Sequence, residues 1–217
     1  MKLIAIICFL VYSSSVFSAE WTNSKEIEAL FLKAKLVGTF VLYNVESDNF
    51  IGFNKERAET AFIPASTYKI PHTLIGLAEG AVENVDQILP YGGKKQPFPV
   101  WEKDMSLRDA LPISNVPIYQ ELARRIGLER MAQNLAKLDY GNQQVGNVVD
   151  TFWLEGPLTI SAVQQTAFLA ALAQNKLPYA SEIQQNVRDI TRLESVDDWT
   201  LHGKTGWVNA PGPGTGW

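Results

Sequence analysis

The chain contains one cysteine, Cys8, and two histidines, His72 and His202, among its 217 residues. A single cysteine cannot form an internal disulfide, so packing must stabilise the fold. The two histidines lack the spacing of a metal-ligating pair, which argues against a zinc-dependent enzyme, and they leave few options for a Ser-His-Asp relay. We expect His72 to be a satisfied buried or interfacial histidine and His202 to lie on a strand.

Clusters of Lys or Arg with interleaved aromatic residues are also absent, and the formal net charge is −4. These two properties argue against nucleic acid or an anionic membrane surface as a partner. The content of hydrophobic residues is 46%, which is ordinary for a globular protein with a sizeable core.

The N-terminus has the pattern of a secretory signal peptide. Lys2 precedes an apolar run over residues 3–11, and small residues then surround a cleavage point before Ala19. The apolar run is too short to span a bilayer. We therefore expect residues 1–18 to be removed and residues 19–217 to form one periplasmic domain without cysteine and without a membrane anchor.

The mature chain shows strand patterns at both ends and helical patterns between them. Residues 39–43 and 50–53 flank a polar turn and predict a hairpin, and residues 199–202 predict another strand. Apolar spacing predicts a buried helix over 66–80, followed by helices over 118–126, from 131 onward and from 161 onward. This order predicts an α+β fold, with an antiparallel sheet flanked by helices and a separate helical subdomain.

Capping signals predict where two of the helices start. Asn23 stands three residues before Glu26, and Ser161 stands three residues before Gln164, as in capping boxes. Pro71 lies inside the predicted 66–80 helix, where it is tolerated only if the helix starts close to Ser66.

Ser66 and Lys69 form an S-x-x-K motif at the start of the 66–80 helix. Residues at i and i+3 share a helix face, with Cβ atoms about 5–6 Å apart. A hydroxyl nucleophile and an amine in this arrangement can exchange a proton without a histidine. The motif alone is weak evidence, because an ordinary helix start accounts for it equally well.

Three further elements could belong to the same site. The hydroxyl of Ser114 could pass a proton to a leaving group, although Ser114 could equally cap the helix ahead of Pro117. Lys204 and Thr205, on a predicted strand, suit a substrate carboxylate, and Gly206 allows a ligand to approach the backbone closely; the alternative is a polar strand edge. Trp153 could direct its indole N–H at an anionic base, or it could simply pack in the core.

The motifs occur in the order S-x-x-K, Ser114-Asn115-Val116 and Lys204-Thr205-Gly206, which is the order of S-x-x-K, S-D-N and K-T-G in class A β-lactamases and penicillin-binding proteins. Val116 stands where those proteins have Asn. With Tyr140-Gly141-Asn142 and Trp153-Leu154-Glu155-Gly156 added, the chain resembles the class D serine β-lactamases from about Trp21 to Trp217. Tyr68 is a mild departure, since the family usually has Phe there.

The resemblance implies that the full-length parent hydrolyses β-lactam antibiotics through an acyl-enzyme on Ser66 and thereby confers antibiotic resistance. It also implies that CO₂ or bicarbonate converts Lys69 to a carbamate, which acts as general base, with no metal and no other cofactor. Val116 fits this modification because an apolar neighbour desolvates the amine. Trp153 would hold the carbamate, and Ser114 would relay a proton to the departing nitrogen. The resemblance further implies a set of substrate-binding residues, namely Val116, Leu154, Lys204, Thr205, Gly206 and Trp207.

The C-terminal residues 208–217 form a Pro- and Gly-rich stretch without a closing element. We therefore expect the chain to lack the last strands and the C-terminal helix of the family fold, and to be poorly folded and inactive as written. The sequence is compatible with a homodimer but does not decide the oligomeric state.

Three alternatives stay open. The chain could be a penicillin-binding sensor domain that is acylated once, although such domains normally follow transmembrane helices. It could be a D,D-peptidase that releases β-lactams slowly, although Val116 and Trp153 favour the carbamate route. An exported binding protein with an inactive site is the third, and the intact Ser66, Lys69 and Ser114 argue against it.

Overall fold

The computed structural model describes residues 20–208 and 214–217, so the predicted signal peptide over residues 1–18 lies outside the described residues. None of the helices in this part of the chain is long and apolar enough to cross a membrane. The helices are α1 (Lys25–Ala34), α2 (Lys55–Glu59), α3 (Lys69–Ala78), α4 (Leu107–Ala110), α5 (Val116–Ile126), α6 (Leu128–Lys137), α7 (Ala162–Ala173) and α8 (Ser181–Thr191). The strands are β1 (Glu20–Asn23), β2 (Phe40–Asn44), β3 (Asn49–Phe53), β4 (Ala61–Phe62), β5 (Ile160–Ser161), β6 (Arg192–Val196), β7 (Trp199–His202), β8 (Trp207–Val208) and β9 (Thr215–Gly216). Two 3₁₀ helices cover Ala65–Tyr68 and Pro99–Trp101.

The strands form one three-stranded sheet and three two-stranded pairs within the described ranges. The predicted hairpin is confirmed, since β2 and β3 are antiparallel and pair from Phe40 opposite Phe53 to Asn44 opposite Asn49. β1 pairs with β3 in parallel, so this sheet is mixed rather than wholly antiparallel. The pairs β4–β5, β6–β7 and β8–β9 are antiparallel. Helix α7 packs on β2 and α1 packs on β3, so the predicted α+β class is confirmed.

Helix α3 lies at the centre of the helical cluster, packed against α5 and α8. Every residue from Lys69 to Gly76 is buried. Gly76 allows the close contact with α5, because a Cβ at this position would lie 2.8 Å from Cδ1 of Leu122. The start of α3 is therefore held by packing on several sides.

The start of α3 also explains why Pro71 is tolerated. Residues Ala65–Tyr68 form a 3₁₀ helix, and the α-helix begins at Lys69. Pro71 is then the third residue of α3, where a backbone N–H has no acceptor within the helix. The condition predicted from the sequence is met, and Ser66 and Lys69 are held on either side of the junction between the two helices.

Two of the predicted caps are wrong by one residue. Ser24 rather than Asn23 caps α1, because Asn23 belongs to β1 and Oγ of Ser24 accepts from the backbone N–H of Ile27 at 3.3 Å. Asn115 rather than Ser114 caps α5 and accepts from the N–H of Ile118 at 3.1 Å. The capping box at Ser161 and Gln164 is present as predicted.

Three features of the C-terminal region differ from the prediction. Helix α8 was not predicted, although Ile183, Val187 and Ile190 follow a helical spacing. Residues 203–206 lie between β7 and β8 rather than on a strand. Residues Trp207–Val208 and Thr215–Gly216 form a strand pair where only a loop was expected.

A substitution at Gly141 would test how strongly the stability of the irregular segment over residues 139–158 depends on one close backbone contact. Its φ is +57°, and a Cβ would lie 2.1 Å from the carbonyl oxygen of Thr159. We expect Gly141→Ala to lower the free energy of unfolding by about 2 kcal/mol or more, from left-handed strain plus the clash. Gly80 is the matched control, since its φ is +62° with nothing within 4 Å. Gly80→Ala should cost only about 1 kcal/mol. Equal costs in urea unfolding would contradict the role of the contact.

Candidate active site

The serine and the lysine of the S-x-x-K motif are in direct contact. Nζ of Lys69 lies 3.1 Å from Oγ of Ser66, within hydrogen-bond distance. Ser66 is half-buried, whereas the side chain of Lys69 is fully buried with 0% exposure. The site therefore places a hydroxyl at the protein surface and an amine directly beneath it.

Burial changes the protonation of Lys69. Burial, which removes the hydration of the ammonium form, and to a lesser extent the positive charge of Lys204 together lower the pKa of Lys69 from 10.5 to about 7. Nζ also lies 5.1 Å from the centre of the Tyr119 ring. A large fraction of Lys69 is consequently a neutral amine near neutral pH, able to accept a proton or to act as a nucleophile.

A second serine and lysine pair lies beside the first. Nζ of Lys204 donates a short hydrogen bond to Oγ of Ser114 and another to the carbonyl of Thr205 at 2.8 Å. Ser114 has a left-handed backbone with φ of 55°, which frees its side chain from the capping role. Partial burial lowers the pKa of Lys204. The effect of Lys204 on the pKa of Lys69 indicates that the two pairs share one electrostatic environment.

Gly206 brings the Lys204–Gly206 segment against the turn that carries Ser66. A Cβ at position 206 would lie 2.9 Å from the carbonyl oxygen of Pro64 and 3.1 Å from Cγ2 of Thr67. The backbone of Gly206 pairs with Trp217, whose indole N–H donates to the carbonyl of Ile63 at 2.9 Å. A residue with a side chain at position 206 would push this segment away from Ser66.

The remaining predicted substrate-binding residues have different positions. Thr205 is exposed, and Trp207 is 64% exposed at the start of β8, which packs on the 3₁₀ helix of Ser66. Val116 is the first residue of α5 and is half-buried. Leu154 is half-buried and packs against the hydrophobic core. The exposed members therefore lie on the solvent side of the site, and Val116 and Leu154 are partly withdrawn from solvent.

Trp153 connects the segment over residues 139–158 to the turn that carries Ser66. Its carbonyl oxygen accepts a hydrogen bond from the N–H of Ala65 at 2.9 Å. Ala65 has a φ of 49°, which is uncommon for a residue with a Cβ. The ring of Trp153 stacks on Tyr68, with 5.8 Å between centroids, and its buried Nε1 has no hydrogen-bond partner among the described residues. Trp153 thus combines a structural backbone contact with an unsatisfied buried donor.

The expectation that His72 is satisfied is wrong. His72 is fully buried, and neither ring nitrogen has a hydrogen-bond partner among the described residues. The rings of Tyr68, Tyr119 and Trp153 lie around it, with centroids 5.0–5.4 Å away, so the cage is aromatic and not polar. Burial and the nearby charge of Lys69 lower the pKa of His72 well below 6.5. The imidazole is therefore neutral.

A buried chain of hydrogen bonds supports the turn that carries Ser66. The sequence analysis did not identify this chain. Nε2 of Gln165 donates to Oγ1 of Thr67 at 2.7 Å, and the hydroxyl of Tyr140 donates to Oε1 of Gln165 at 3.2 Å. Oγ1 of Thr67 in turn donates to the carbonyl of Pro64 at 2.6 Å. The available signal was a polar residue, Gln165, in the mostly apolar helix α7. In the described part of the chain, no three His, Cys, Asp or Glu side chains are grouped so as to hold a metal ion.

Comparison with known proteins gives this site a family. Residues 32–216 match the penicillin binding protein transpeptidase domain. The chain is 38% identical over 221 residues to β-lactamase OXA-5 of Pseudomonas aeruginosa, with 100% of this chain and 83% of the relative covered. It is 36% identical over 221 residues to β-lactamase OXA-48 of Klebsiella pneumoniae, at the same coverage. The crystal structure of FUS-1 (OXA-85), a class D β-lactamase from Fusobacterium nucleatum subsp. polymorphum, superposes with a TM-score of 0.84 at 47% identity, covering 86% of this chain and 78% of that one.

The chain belongs to the class D β-lactamase family. The resemblance read from the order of three short motifs is thereby confirmed. In this class D β-lactamase, the first motif supplies the buried lysine and the half-buried serine. The second and third motifs meet in the hydrogen bond between Ser114 and Lys204.

The protonation of Lys69 should be visible in the stability of the protein. The pKa is about 7 in the folded state and near 10.5 when exposed, so the unfolded chain binds more protons between these values and stability contributed by Lys69 rises with pH. We expect the free energy of unfolding of Lys69→Met to exceed that of wild type by about 2 kcal/mol at pH 7, and this difference to shrink toward about pH 10.

Urea unfolding in CO₂-depleted buffer at several pH values measures this difference. Lys55→Met is the control, because the side chain of Lys55 is 54% exposed and forms a surface ion pair with Glu59. A stability difference for Lys69→Met that stays constant with pH, as for the control, would show that Lys69 is not the titrating group.

Proposed function

We propose that this protein hydrolyses β-lactam antibiotics through a serine acyl-enzyme, with Ser66 as the nucleophile. The observation that carries the proposal is the contact of 3.1 Å between Oγ of Ser66 and the amine of Lys69, which is fully buried. The names of the relatives support the substrate class, since OXA-5 and OXA-48 are both β-lactamases. Clinical resistance in a host cell would follow from this activity.

Acylation requires three proton transfers, the formation of one bond and the cleavage of another. The Lys69 side chain accepts the proton of Ser66 as Oγ attacks the β-lactam carbonyl. The bond from carbonyl carbon to ring nitrogen then breaks, leaving the acyl group on Oγ. Ser114 gives its hydroxyl proton to the departing nitrogen and recovers one from Lys204, to which it is hydrogen-bonded. Lys204 regains its proton from solvent, and Lys69 releases to solvent the proton taken from Ser66, so that both are restored before the ester is hydrolysed. Hydrolysis of the ester by an activated water completes the turnover.

We propose that CO₂ modifies Lys69 before catalysis. The neutral amine adds to the carbon of CO₂, so that an N–C bond forms, one N–H proton leaves to solvent and a carboxylate remains. The residues present fit this group, because Lys69 has a pKa of about 7 and Trp153 offers a buried indole N–H without a partner. Bound in this way, the group supplies a carboxylate base for both half-reactions. Half-buried Val116 would help to keep the amine desolvated.

The third motif is suited to holding the substrate. Lys204 and the hydroxyl of Thr205 would bind the carboxylate of the antibiotic. The backbone N–H groups of Ser66 and Trp207 would bind the carbonyl oxygen as it becomes negatively charged. Gly206 leaves room for this approach, and Leu154 would contribute to the apolar wall. The whole site would therefore bind a small anionic amide.

We also propose that the protein acts in the periplasm after removal of residues 1–18. The N-terminal pattern supports export, and no cysteine remains after residue 18. The expected mature N-terminus is Ala19.

Turnover separates this function from the alternative, a penicillin-binding sensor or D,D-peptidase that stays acylated. With labelled penicillin and bicarbonate, we expect the acyl-enzyme to form and then disappear as hydrolysed penicillin accumulates. Ser66→Ala is the control and should never become labelled. An acyl-enzyme that persists despite added bicarbonate would favour the sensor or peptidase function instead.

The role of Lys69 as base gives a second expectation. We expect Lys69→Ala to lower kcat for nitrocefin by at least about a thousandfold, because Lys69 is the base that contacts Ser66 among the described residues. Added bicarbonate should not restore the rate. Lys55→Ala, a remote surface change, should keep the wild-type rate. Substantial turnover by Lys69→Ala would show that a group other than Lys69 acts as the base.

A further inference from the structure

His72 and Trp153 carry every buried side-chain nitrogen or oxygen atom that lacks a hydrogen-bond partner among residues 20–208 and 214–217. The atoms are Nδ1 and Nε2 of His72 and Nε1 of Trp153, and the two rings are in contact, with 5.0 Å between their centroids. Leaving a buried polar group unsatisfied costs free energy, so such atoms require an explanation, of which a catalytic role or a bound polar group is one. Their occurrence together indicates one polar site rather than two separate defects.

The amine of Lys69 belongs to the same small region. Lys69 and His72 are one turn apart on α3, and residues at i and i+3 share a helix face. Both side chains contact the ring of Tyr119, Lys69 through Nζ at 5.1 Å and His72 at 5.4 Å between ring centroids. The charge of Lys69 also influences the protonation of His72. Three nitrogen-bearing side chains therefore converge inside a wall of aromatic rings.

The chemistry of these groups selects an anion as their partner. A neutral imidazole carries one N–H donor and one acceptor nitrogen, and an indole carries a single donor. Tyr119 already shares a hydrogen bond with Thr73 at 2.9 Å, and the hydroxyl of Tyr68 points to the sulfur of Met131 at 3.0 Å, so neither hydroxyl is directed to His72. Two unpartnered donors beside a reactive amine suit oxygen atoms attached to that amine.

We propose that His72 is a positioning residue that donates an imidazole N–H to the carboxylate of carbon dioxide-modified Lys69 and shares this anion with the indole N–H of Trp153. The inference rests on the lysine modification proposed above and adds a second, neutral donor to it. A neutral donor stabilises a buried anion without placing another positive charge beside Ser66. His72 acts through Lys69 and does not touch the substrate.

A titration of the modified lysine tests this role without measuring activity. The purified protein is equilibrated with ¹³C-labelled bicarbonate at fixed pH, and the carbamate resonance is integrated as bicarbonate rises. We expect His72→Phe, which keeps an aromatic ring but has no N–H, to need about tenfold more bicarbonate for half-modification, the change expected for loss of one hydrogen bond to a charged group. His72→Asn restores a donor and should stay within about threefold of wild type.

Tyr119→Phe is the matched control. It removes a buried hydroxyl from the same aromatic wall but leaves both rings of the proposed site unchanged, so its half-modification should equal that of wild type. Equal titrations of His72→Phe and wild type, or equal losses in His72→Phe and Tyr119→Phe, would overturn the proposal. If the wild-type protein gave no carbamate resonance at all, the proposed modification of Lys69 itself would be ruled out.

A second measurement leaves His72 in place, so it does not depend on the folding of a variant at that position. The chain has two histidines, so His202→Gln leaves only the His72 ring in a ¹⁵N-histidine spectrum. We expect the ring nitrogens of His72 to shift as bicarbonate is added, in proportion to the carbamate resonance. Ring nitrogens that stay unchanged while the carbamate forms would overturn the role of His72.

Discussion

The burial of one amine directly beneath a surface hydroxyl is the constraint on which the active site depends. Lys69 is fully buried at the first turn of α3, and Ser66 is half-buried in the preceding 3₁₀ helix. An exposed lysine in the same motif would stay protonated and would be of no use as a base. The packing of α3 against α5 and α8 therefore serves the chemistry, because it removes water from the amine.

The surroundings of this amine consist mostly of aromatic rings with few polar contacts. Tyr119 borders Lys69 itself, and Tyr68, Trp153 and His72 belong to the same cluster of rings. Such a wall excludes water but offers little compensation for a charge. The site keeps its positive groups close together, since Lys204 lies near enough to affect Lys69. This arrangement favours an anion in the site, whether it belongs to the protein or to the substrate.

The sequence predicted those parts of the site that depend on local spacing. Ser66 and Lys69 could be paired because three residues separate them on a helical segment, and the family followed from the order of the motifs. The cap of α5 could not be assigned from the sequence. Asn115 is the cap, and the neighbouring Ser114 is hydrogen-bonded instead to Lys204, which is 90 residues distant in the chain. The unsatisfied state of His72 left no sequence signal, because it depends on which rings happen to pack around it. Helix α8 was missed despite its spacing, and the parallel pairing of β1 arises only when the sheet assembles.

The hydrogen bond from Ala65 to the carbonyl of Trp153 joins two parts of the enzyme that would otherwise vary separately. Ala65 sets the direction of the turn that carries Ser66, and the side chain of Trp153 forms part of the wall near the lysine. Any insertion or deletion between residues 139 and 158 that displaces Trp153 must therefore disturb serine and lysine together. Evolution of new antibiotic preferences through the length of this segment would be coupled to the rate of the chemical step, and changes at exposed positions remote from Ser66 and Lys69 would be free of that coupling.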